Sequence, residues 1–512
     1  MSKLFKATMI VTIFSVITRG LGFLMKIILS RSLTPSTLGE YQIAMSIFSV
    51  MLTLIASGLP LIVSRKVSYY TNENEQNKAH KATTAGLIIA LIISIIFSIL
   101  LIIFKDFVQI LFKSKSIGLM VFALIPALVF SSIYSILRGA LWGEKRFFMI
   151  SFSELFEQLI RIICLILLFT LPLYNIDNGV KATFSLSVAC VFSSILVLIM
   201  YLKTGNKLHY PKNELKPIIK ESLPITMSRT ASSIVTMLIS FIIPLRLTTF
   251  GFSPEQAMAE FGIVTGMALP LITIPGTFIS SIAVALVPEI SAQTTNIDTE
   301  EVKNIDYLKS KIALALNCTL ILSFIFVPSF MALGTPIAEI VFKNTRAGTY
   351  LTYGSVLMIT MGITQITSSI LNAIGLEIKA LKNYCIGALS LLFCIYFLPR
   401  YIGAMSLVIA MLSLSLISGI LSLSMLKKRN LLKTSLSVNC LKLVIITLIT
   451  TLFTHFIFKL LNLIIPLFFS CAIAGILSLV SFIALCYAFN IATIKIMIPT
   501  KIKIFKRKKA LI

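Results

Sequence analysis

Long apolar runs alternate with short polar segments along the whole chain of 512 residues. A helix needs roughly 20 mostly apolar residues to cross a bilayer, and the runs have that length. They lack two-residue alternation, which excludes a transmembrane β-barrel. The pattern therefore predicts an all-α membrane protein of about fourteen helices, near residues 8–30, 40–64, 82–104, 117–138, 154–172, 182–202, 222–248, 261–287, 310–333, 349–373, 380–398, 402–426, 436–459 and 465–490.

The composition agrees with a chain that uses lipid as its solvent. Hydrophobic residues make up 57% of the sequence and charged residues only 12%, whereas soluble domains contain about a quarter charged residues. The net charge of +26 comes mostly from alternate loops and the C-terminal tail, at 66–81, 138–146, 203–220, 427–433 and 501–509. The positive-inside rule therefore predicts a multi-pass protein of the cell membrane with both termini in the cytoplasm.

The residues that would indicate an enzyme or a cofactor site do not form the required patterns. The eight cysteines stand singly inside apolar runs, without a CxxC pair, and no GxxxxGK[ST] loop occurs. The sequence therefore predicts no catalytic residues, no metal site, no cofactor and no ATP hydrolysis. A nucleic-acid partner is not expected either, because no basic soluble domain carries the charge.

Weak internal echoes predict two parallel halves of six helices each. The stretch around Arg19 resembles the stretch around Arg229, and SILRGALWGEK (135–145) resembles SILNAIGLEIK (369–379). Transporters use such repeats to build a midplane site between two lobes. The predicted organisation has an N-lobe of helices 1–6, a C-lobe of helices 7–12, two further helices and a basic cytoplasmic tail, at 1–203, 217–427, 436–490 and 491–512 respectively.

Arg19 and Lys26 are the residues that most need an explanation, because both lie inside the first apolar run. Each costs about 2.5–3.5 kcal/mol at a helix centre, and such residues usually face a bundle interior or a wet cavity. Seven residues apart, they lie on one helix face. With Arg229 at the matching place of the second half, they form the predicted cationic cavity. Interfacial snorkelling of Lys26 and Arg229 is the open alternative.

Further polar residues are candidates for supporting roles. Glu157 and Arg161 have the i,i+4 spacing of a helical ion pair, so mutual neutralisation competes with substrate contact. Arg138 and Asn372 occupy matching places in the two halves and either line the cavity or mark helix ends.

Two glycines and two glutamates outside the predicted site have expected positions as well. Gly20 and Gly22 would allow close helix approach, and Glu40 and Glu260 would be exposed at the outer ends of their hairpins.

Five stretches of the sequence resemble the stage V sporulation protein B group. This group belongs to the multidrug/oligosaccharidyl-lipid/polysaccharide (MOP) exporter superfamily, with the MurJ lipid II flippases, the O-antigen flippases and the MATE drug exporters. The resemblance implies fourteen helices, two six-helix lobes around a central cavity, and alternating access for a lipid-linked sugar. The stretches are TRGLGFLMKIILSRSL (18–33), SFSELFEQLIRII (151–163), PITMSRTASSIVTMLISFIIPLRL (224–247), FGIVTGMALPLITIP (261–275) and SSIAVALVPEIS (280–291).

With this resemblance, the sequence predicts a flippase for an undecaprenyl-diphosphate-linked saccharide, such as lipid II or a related wall or spore-cortex precursor. Arginine recognises phosphate by paired hydrogen bonds, so the cationic cavity is expected to bind the diphosphate. Expected partners are the lipid-linked oligosaccharide, membrane lipids and cell-wall synthesis enzymes. The alternatives are a MATE-like drug antiporter, an O-antigen- or teichoic-type exporter, and a non-transporting scaffold. Membrane potential is the expected driving force, with Na⁺ or H⁺ coupling as the alternative.

Overall fold

The structure is a computed structural model that describes residues 3–172, 176–211, 213–291, 294–296, 301–302, 305–432 and 435–491. The chain divides into two compact units, Met1–Gly266 and Met267–Ile512. The lobe boundaries expected from the sequence repeat stay a prediction. Of the expected basic tail, residues 492–512 lie outside the described part of the chain.

The described residues of the first unit form ten α-helices. Most begin after a polar residue or at a proline, which has no backbone N–H to leave unsatisfied in the first turn. They are α1 (Lys3–Ser32), α2 (Pro35–Ala56), α3 (Leu59–Asn72), α4 (Gln76–Phe112), α5 (Lys115–Ala123), α6 (Ile125–Gly143), α7 (Phe147–Thr170), α8 (Asn178–Lys203), α9 (Leu215–Thr249) and α10 (Pro254–Gly262).

A π-helical segment, Ile263–Ala268, leads from the first unit into the second. Two short strands, Thr294–Asn296 and Glu301–Val302, pair antiparallel. The α-helices of the second unit are α11 (Leu269–Ile272), α12 (Ile274–Ser291), α13 (Ile305–Phe324), α14 (Val327–Phe342), α15 (Thr345–Gly354), α16 (Leu357–Ala373), α17 (Glu377–Phe397), α18 (Pro399–Ile402), α19 (Met405–Lys428), α20 (Ser435–Leu461) and α21 (Leu467–Ala488).

The helices confirm the predicted all-α membrane architecture. In the described residues, 11 helices are long and apolar enough to cross a bilayer, or 13 if two bent helix pairs each count as one span. Helix α7 is a further candidate, because its 24 residues have spanning length but include Glu154, Glu157 and Arg161. With α7 the structure is consistent with fourteen spans.

The same turn recurs in both units between a long helix and a short one. Helix α4 ends at Lys113 and α14 ends at Lys343, and both lysines have left-handed backbone angles (φ 54° and 55°). Each is followed by a polar residue, Ser114 or Asn344, that begins a short helix before the next long one. This turn is a common way to end a helix, and lysine is an unusual residue for it. The recurrence is what a repeated architecture would produce.

Many polar side chains inside the spans hydrogen-bond to their own helix. Ser98 donates to the carbonyl of Ser94 (2.7 Å), Thr367 to that of Ile363 (2.7 Å) and Thr450 to that of Ile446 (2.7 Å). A hydroxyl four residues after a carbonyl can reach it without leaving the helix. The Ser- and Thr-rich spans therefore remain compatible with lipid, because these hydroxyl groups are already satisfied.

Helices α2 and α10 of the first unit cross at two glycines. A Cβ atom added at Gly39 would lie 2.1 Å from the carbonyl oxygen of Met258, and one added at Gly262 would lie 2.2 Å from that of Pro35. Gly39 thus contacts the carbonyl of Met258, four residues before Gly262, and Gly262 contacts the carbonyl of Pro35, four residues before Gly39. Without a hydrophobic force between helices in lipid, such close backbone contact is what holds them together.

Two smaller expectations from the sequence are wrong. A Cβ added at Gly20 or Gly22 would meet nothing within 4 Å, so these glycines do not mediate helix packing. Glu260 is only 3% exposed, because α10 packs against α2 and α9. Glu40 is half-buried and accepts a hydrogen bond from Ser114 Oγ at 2.7 Å.

The close contact of α2 and α10 predicts that one methyl group added at Gly39 destabilises the protein. We expect Gly39→Ala to lower the apparent melting temperature in detergent, because overpacking costs about 1–3 kcal/mol and the contact atom is backbone. Gly20→Ala is the matched control, since its methyl group has free space and alanine favours the helix by up to about 1 kcal/mol. Equal melting temperatures for Gly39→Ala and the parent protein would contradict the crossing.

Candidate anion site in the first unit

Helix α1 carries the two cations that the sequence singled out, and it is the least buried of the membrane spans. Only 6% of its apolar window is buried, compared with 28–67% in the other single spans described. The side chains of Arg19 and Lys26 are both exposed. A charged side chain cannot cheaply face hydrocarbon, so an exposed pair on one helix face calls for water or an anion beside it.

Helix α7 packs against α1 and brings more charges to the same unit. Glu154, Glu157 and Arg161 are spaced by three and four residues, so they share one face of α7. Arg138 of α6 forms an ion pair with Glu154. Its guanidinium also lies 5.6 Å from the centre of the Tyr134 ring, within the range of a cation–π contact. This arginine is therefore held by partners on α6 and α7.

Arg161 has a different environment. Its Nη2 atom donates a hydrogen bond to the Tyr41 hydroxyl of α2 at 2.8 Å, across 120 residues of sequence. Its charge acts on Glu157, as the i,i+4 spacing predicts, and also on Lys26 of α1. Three elements, α1, α2 and α7, thus meet around this guanidinium. Of the predicted site cations, Lys26 and Arg161 are close enough for their like charges to repel each other.

Arg229 has a structural partner. The chain breaks between α2 and α3 at Ser57, and the Arg229 Nη1 atom of α9 donates to the Ser57 carbonyl at 3.1 Å. Helix ends leave carbonyls without intrahelical partners, and in a membrane these must be satisfied by protein. Beside this contact, Thr53 and Ser233 share a hydrogen bond of 2.9 Å. Arg229 therefore ties α9 to the break in the second span.

Asn372 lies in the second unit, in the last turn of α16, with its side chain exposed. Its carbonyl accepts a hydrogen bond from the Gly375 N–H at 3.2 Å, so the residue helps to end the helix. The other six predicted site residues, Arg19, Lys26, Arg138, Glu157, Arg161 and Arg229, belong to the first unit. Their shared role in binding stays a prediction.

Some residues of the charge cluster escaped sequence reasoning. Glu154 continues the three- and four-residue spacing of Glu157 and Arg161, so that periodicity could have identified it. Tyr134 and Tyr41 carry no comparable signal, because their contacts join different helices. Within the described residues no group of three or more His, Cys, Asp and Glu side chains is arranged to hold a metal ion.

Comparisons with known proteins identify the family. A sequence profile of the family described as "Polysaccharide biosynthesis protein" matches residues 4–294, more than half of the chain. The chain belongs to this family. Among its relatives is Stage V sporulation protein B of Bacillus subtilis (strain 168), 24% identical over 396 residues that cover 75% of each chain. Sporulation protein YkvU of the same strain is 22% identical, over 57% of this chain and 66% of its own.

Solved structures share the fold. The lipid II flippase MurJ, in an inward closed conformation, has a TM-score of 0.73 at 17% identity, with 94% of this chain and 100% of MurJ covered. An inward-facing multidrug resistance MATE transporter of the MOP superfamily has a TM-score of 0.67 at 17% identity, covering 82% of this chain and 95% of its own. The predicted family resemblance and the MOP fold class are both confirmed.

The Arg138–Glu154 pair predicts a double-mutant result. We expect Arg138→Met to lower the melting temperature, because it leaves the Glu154 carboxylate without its ion-pair partner. Breaking a fully buried ion pair costs about 3–5 kcal/mol of stability. The loss should be smaller here, because both side chains are about a third exposed. The double variant Arg138→Met/Glu154→Met should recover most of that loss, since no charge is left behind.

The Lys78–Glu75 pair provides the control, because both of its side chains are largely exposed. Removing either partner there should change the melting temperature little. Additive losses in the Arg138/Glu154 double variant would mean that the two residues do not act as a pair.

Proposed function

We propose that this protein is a flippase that moves an undecaprenyl-diphosphate-linked saccharide across the cell membrane by alternating access. The observation that carries the proposal is the pair of exposed cations on α1, Arg19 and Lys26, of which Lys26 is close enough to Arg161 of the neighbouring helix for the two charges to interact. Guanidinium and ammonium groups bind a diphosphate by charge-assisted hydrogen bonds, and an apolar helix has no other group that would attract it. Membership of the polysaccharide biosynthesis family supports a glycan-linked substrate.

The curated relatives and the fold narrow the proposed substrate class. Similarity to Stage V sporulation protein B and the fold shared with the lipid II flippase MurJ support lipid II or a related wall or spore-cortex precursor. The lipid tail would remain in the bilayer while the saccharide and diphosphate cross the protein. Cell-wall synthesis enzymes, which make or consume such precursors, are the expected neighbours in the membrane.

Orientation and driving force follow from charge. The basic loops place both termini in the cytoplasm under the positive-inside rule. The potential across the cell membrane, negative inside, then favours outward movement of an anionic head by about 2.3 kcal/mol per charge for each 100 mV. Transport of this kind needs no ATP-binding site.

The main alternative is a MATE-like exporter of cationic drugs, which the shared fold supports. A cationic drug needs carboxylates at its site. Residues 3–32 of the first helix contain no Asp or Glu, and they carry Arg19 and Lys26 instead. The charge of α1 therefore favours an anionic substrate over a cationic one.

Transport in vesicles tests the proposal. We expect purified protein in liposomes to move a fluorescent undecaprenyl-diphosphate N-acetylglucosamine faster than empty liposomes do. Arg19→Ala and Lys26→Ala should each slow this movement by roughly 10- to 100-fold, the equivalent of one charged hydrogen bond of about 1.5–3 kcal/mol. Lys427→Ala is the matched control, because Lys427 is an exposed cation at the end of α19 and should leave the rate unchanged.

Movement no faster than in empty liposomes would contradict the flippase. Uptake of a cationic dye without movement of the labelled lipid would favour the drug exporter. Equal transport rates for Arg19→Ala, Lys26→Ala and Lys427→Ala would show that Arg19 and Lys26 do not bind the substrate.

A further inference from the structure

Two membrane spans are bent at a break inside the second unit. One bends by 44° at Thr273, just before α12, and the other by 53° between Gly354 and Leu357, just before α16. A broken helix leaves backbone groups without intrahelical partners, so in a membrane it must be covered by protein or line a wet cavity. Transporters use discontinuous helices to form their substrate sites. Helices α12 and α16 are therefore the place to look for a substrate surface in this unit.

Helix α16 exposes polar side chains and buries apolar ones. Gln365, Ser369 and Asn372 follow at intervals of four and three residues, so they share one side of the helix. Asn372 is exposed and the other two are half-buried, whereas Ile370 and Leu371, which point away from that side, are fully buried. Hydroxyl groups bonded to their own helix are compatible with lipid, but amide groups are costly in hydrocarbon. This side of α16 is therefore not a lipid-facing side.

Helix α12 has a side of the same character. Thr273 at the break, Thr277 and Ser281 follow at intervals of four residues, and Ser280 lies beside them. None of the four side chains is buried, whereas Ile279, on the other side of the helix, is fully buried in the core. Residues 273–283 contain no charged side chain. This side of α12 therefore presents hydroxyl groups without charge.

A hydrogen bond joins the two sides into one surface. The Gln365 Nε2 atom donates to Ser280 Oγ at 2.8 Å. Gly276 leaves room for the amide, since a Cβ at that position would lie only 3.2 Å from Gln365 Oε1. Near the ends of both helices, Ser291 Oγ donates to the carbonyl of Ala373 at 3.0 Å. We call this surface the α12–α16 polar face, and it consists of Thr273, Thr277, Ser280, Ser281, Gln365, Ser369 and Asn372.

The hydrogen bonds within the face determine what it offers to a ligand. The Ser281 hydroxyl donates to the carbonyl of Thr277 at 3.2 Å, and the Ser369 hydroxyl to that of Gln365 at 2.9 Å. Their protons are used, so the oxygen lone pairs remain as acceptors. The Gln365 amide gives one N–H to Ser280, and no hydrogen bond reaches its Oε1 atom from the described residues. The face thus presents hydroxyl acceptors and an amide with one donor and one acceptor.

We infer that the α12–α16 polar face binds the saccharide of the lipid-linked substrate. The inference rests on the proposed function and names the part of the substrate that the second unit recognises. Sugar hydroxyl groups can donate to the Ser and Thr oxygens. An N-acetyl group can pair its N–H and C=O with the Oε1 and Nε2 atoms of Gln365. A surface without charge matches a saccharide, whereas a diphosphate needs cations.

The two parts of the substrate are then recognised by different units. The cations that the proposed function assigns to the diphosphate, Arg19 and Lys26, belong to the first unit, whereas the polar face belongs to the second. Variants of the two places should therefore differ in their effects. Loss of an α1 cation weakens binding of any undecaprenyl diphosphate, but loss of a group on the polar face weakens binding only when a sugar is attached.

Calorimetry on the full chain in lipid nanodiscs tests the inference with two probes. One is undecaprenyl-diphosphate N-acetylglucosamine, and the other is the methyl ester of undecaprenyl diphosphate, which carries the same charge and no sugar. We expect the parent protein to bind the first probe more tightly. Gln365→Met should reduce this preference by about 2- to 10-fold, the effect of one neutral hydrogen bond, and leave the affinity for the methyl ester unchanged.

Two further variants keep the test independent of the contact between α12 and α16. Asn372→Ala and Ser281→Ala remove side chains that form no described hydrogen bond between these helices, and each should also reduce the preference for the sugar. Ser481→Ala is the matched control, because Ser481 donates to its own helix at 3.0 Å and lies on α21, which packs on α14 and α20. It should leave both affinities unchanged. Melting curves establish that each variant is folded.

The outcomes separate this inference from the proposed function. Equal binding of both probes by the parent protein, or a preference that survives in Gln365→Met, Asn372→Ala and Ser281→Ala, would overturn the inference and leave the flippase intact. Weaker binding of both probes in these variants would assign the face to the diphosphate and overturn it as well. No binding of either probe to the parent protein would contradict the proposed function itself, and the inference with it.

Discussion

Positive charge in an apolar medium is the constraint on which this structure depends. Each arginine or lysine in a membrane helix needs a partner or water, because hydrocarbon offers neither. The first unit meets the need in three ways. Arg138 is paired with Glu154, Arg229 caps the carbonyl of Ser57 at a helix break, and Arg19 and Lys26 remain exposed on α1. The exposed side chains on α1 are the ones to which the proposed function assigns the substrate.

The packing of the first unit explains why α1 can be different. Helices α2, α3, α4, α6 and α8 pack against one another, and α10 rests on α2 through Gly39 and Gly262. Helix α1 packs mainly on α7 and is otherwise little buried. A helix with one packed side has a second side available for substrate. In the proposed flippase, the rigid part of the unit would hold α1 in place while its exposed cations meet the anionic head.

Hydropathy was enough to predict the membrane helices, because each span must be apolar whatever its neighbours are. It was less successful where a helix breaks or carries charge. The predicted span 40–64 contains the break between α2 and α3, where α9 approaches so closely that a Cβ added at Gly58 would lie 2.4 Å from the carbonyl oxygen of Ser222. The predicted span 154–172 starts seven residues after the true start of α7 at Phe147, although the first residues of this helix, FFMI, are apolar.

The candidate site was predictable only in part, for a similar reason. Cations in an apolar run are visible in the sequence, and so is the i,i+4 spacing of Glu157 and Arg161. Contacts between distant helices are not, and Tyr41 as the partner of Arg161 appears only after folding. The same limit applies to Arg229, whose hydrogen bond to the Ser57 carbonyl could not be read from the sequence, and whose role in substrate binding stays a prediction.

The exposure of the α1 cations to water is the central claim, and cysteine labelling tests it most directly. In a cysteine-free background, Lys26→Cys and Ile17→Cys, both exposed positions on α1, would be treated in vesicles with a charged, membrane-impermeant thiol reagent. The account predicts rapid labelling at position 26 and protection by undecaprenyl-diphosphate N-acetylglucosamine. Labelling at position 26 only by a lipid-soluble reagent, with no protection by the probe, would contradict it.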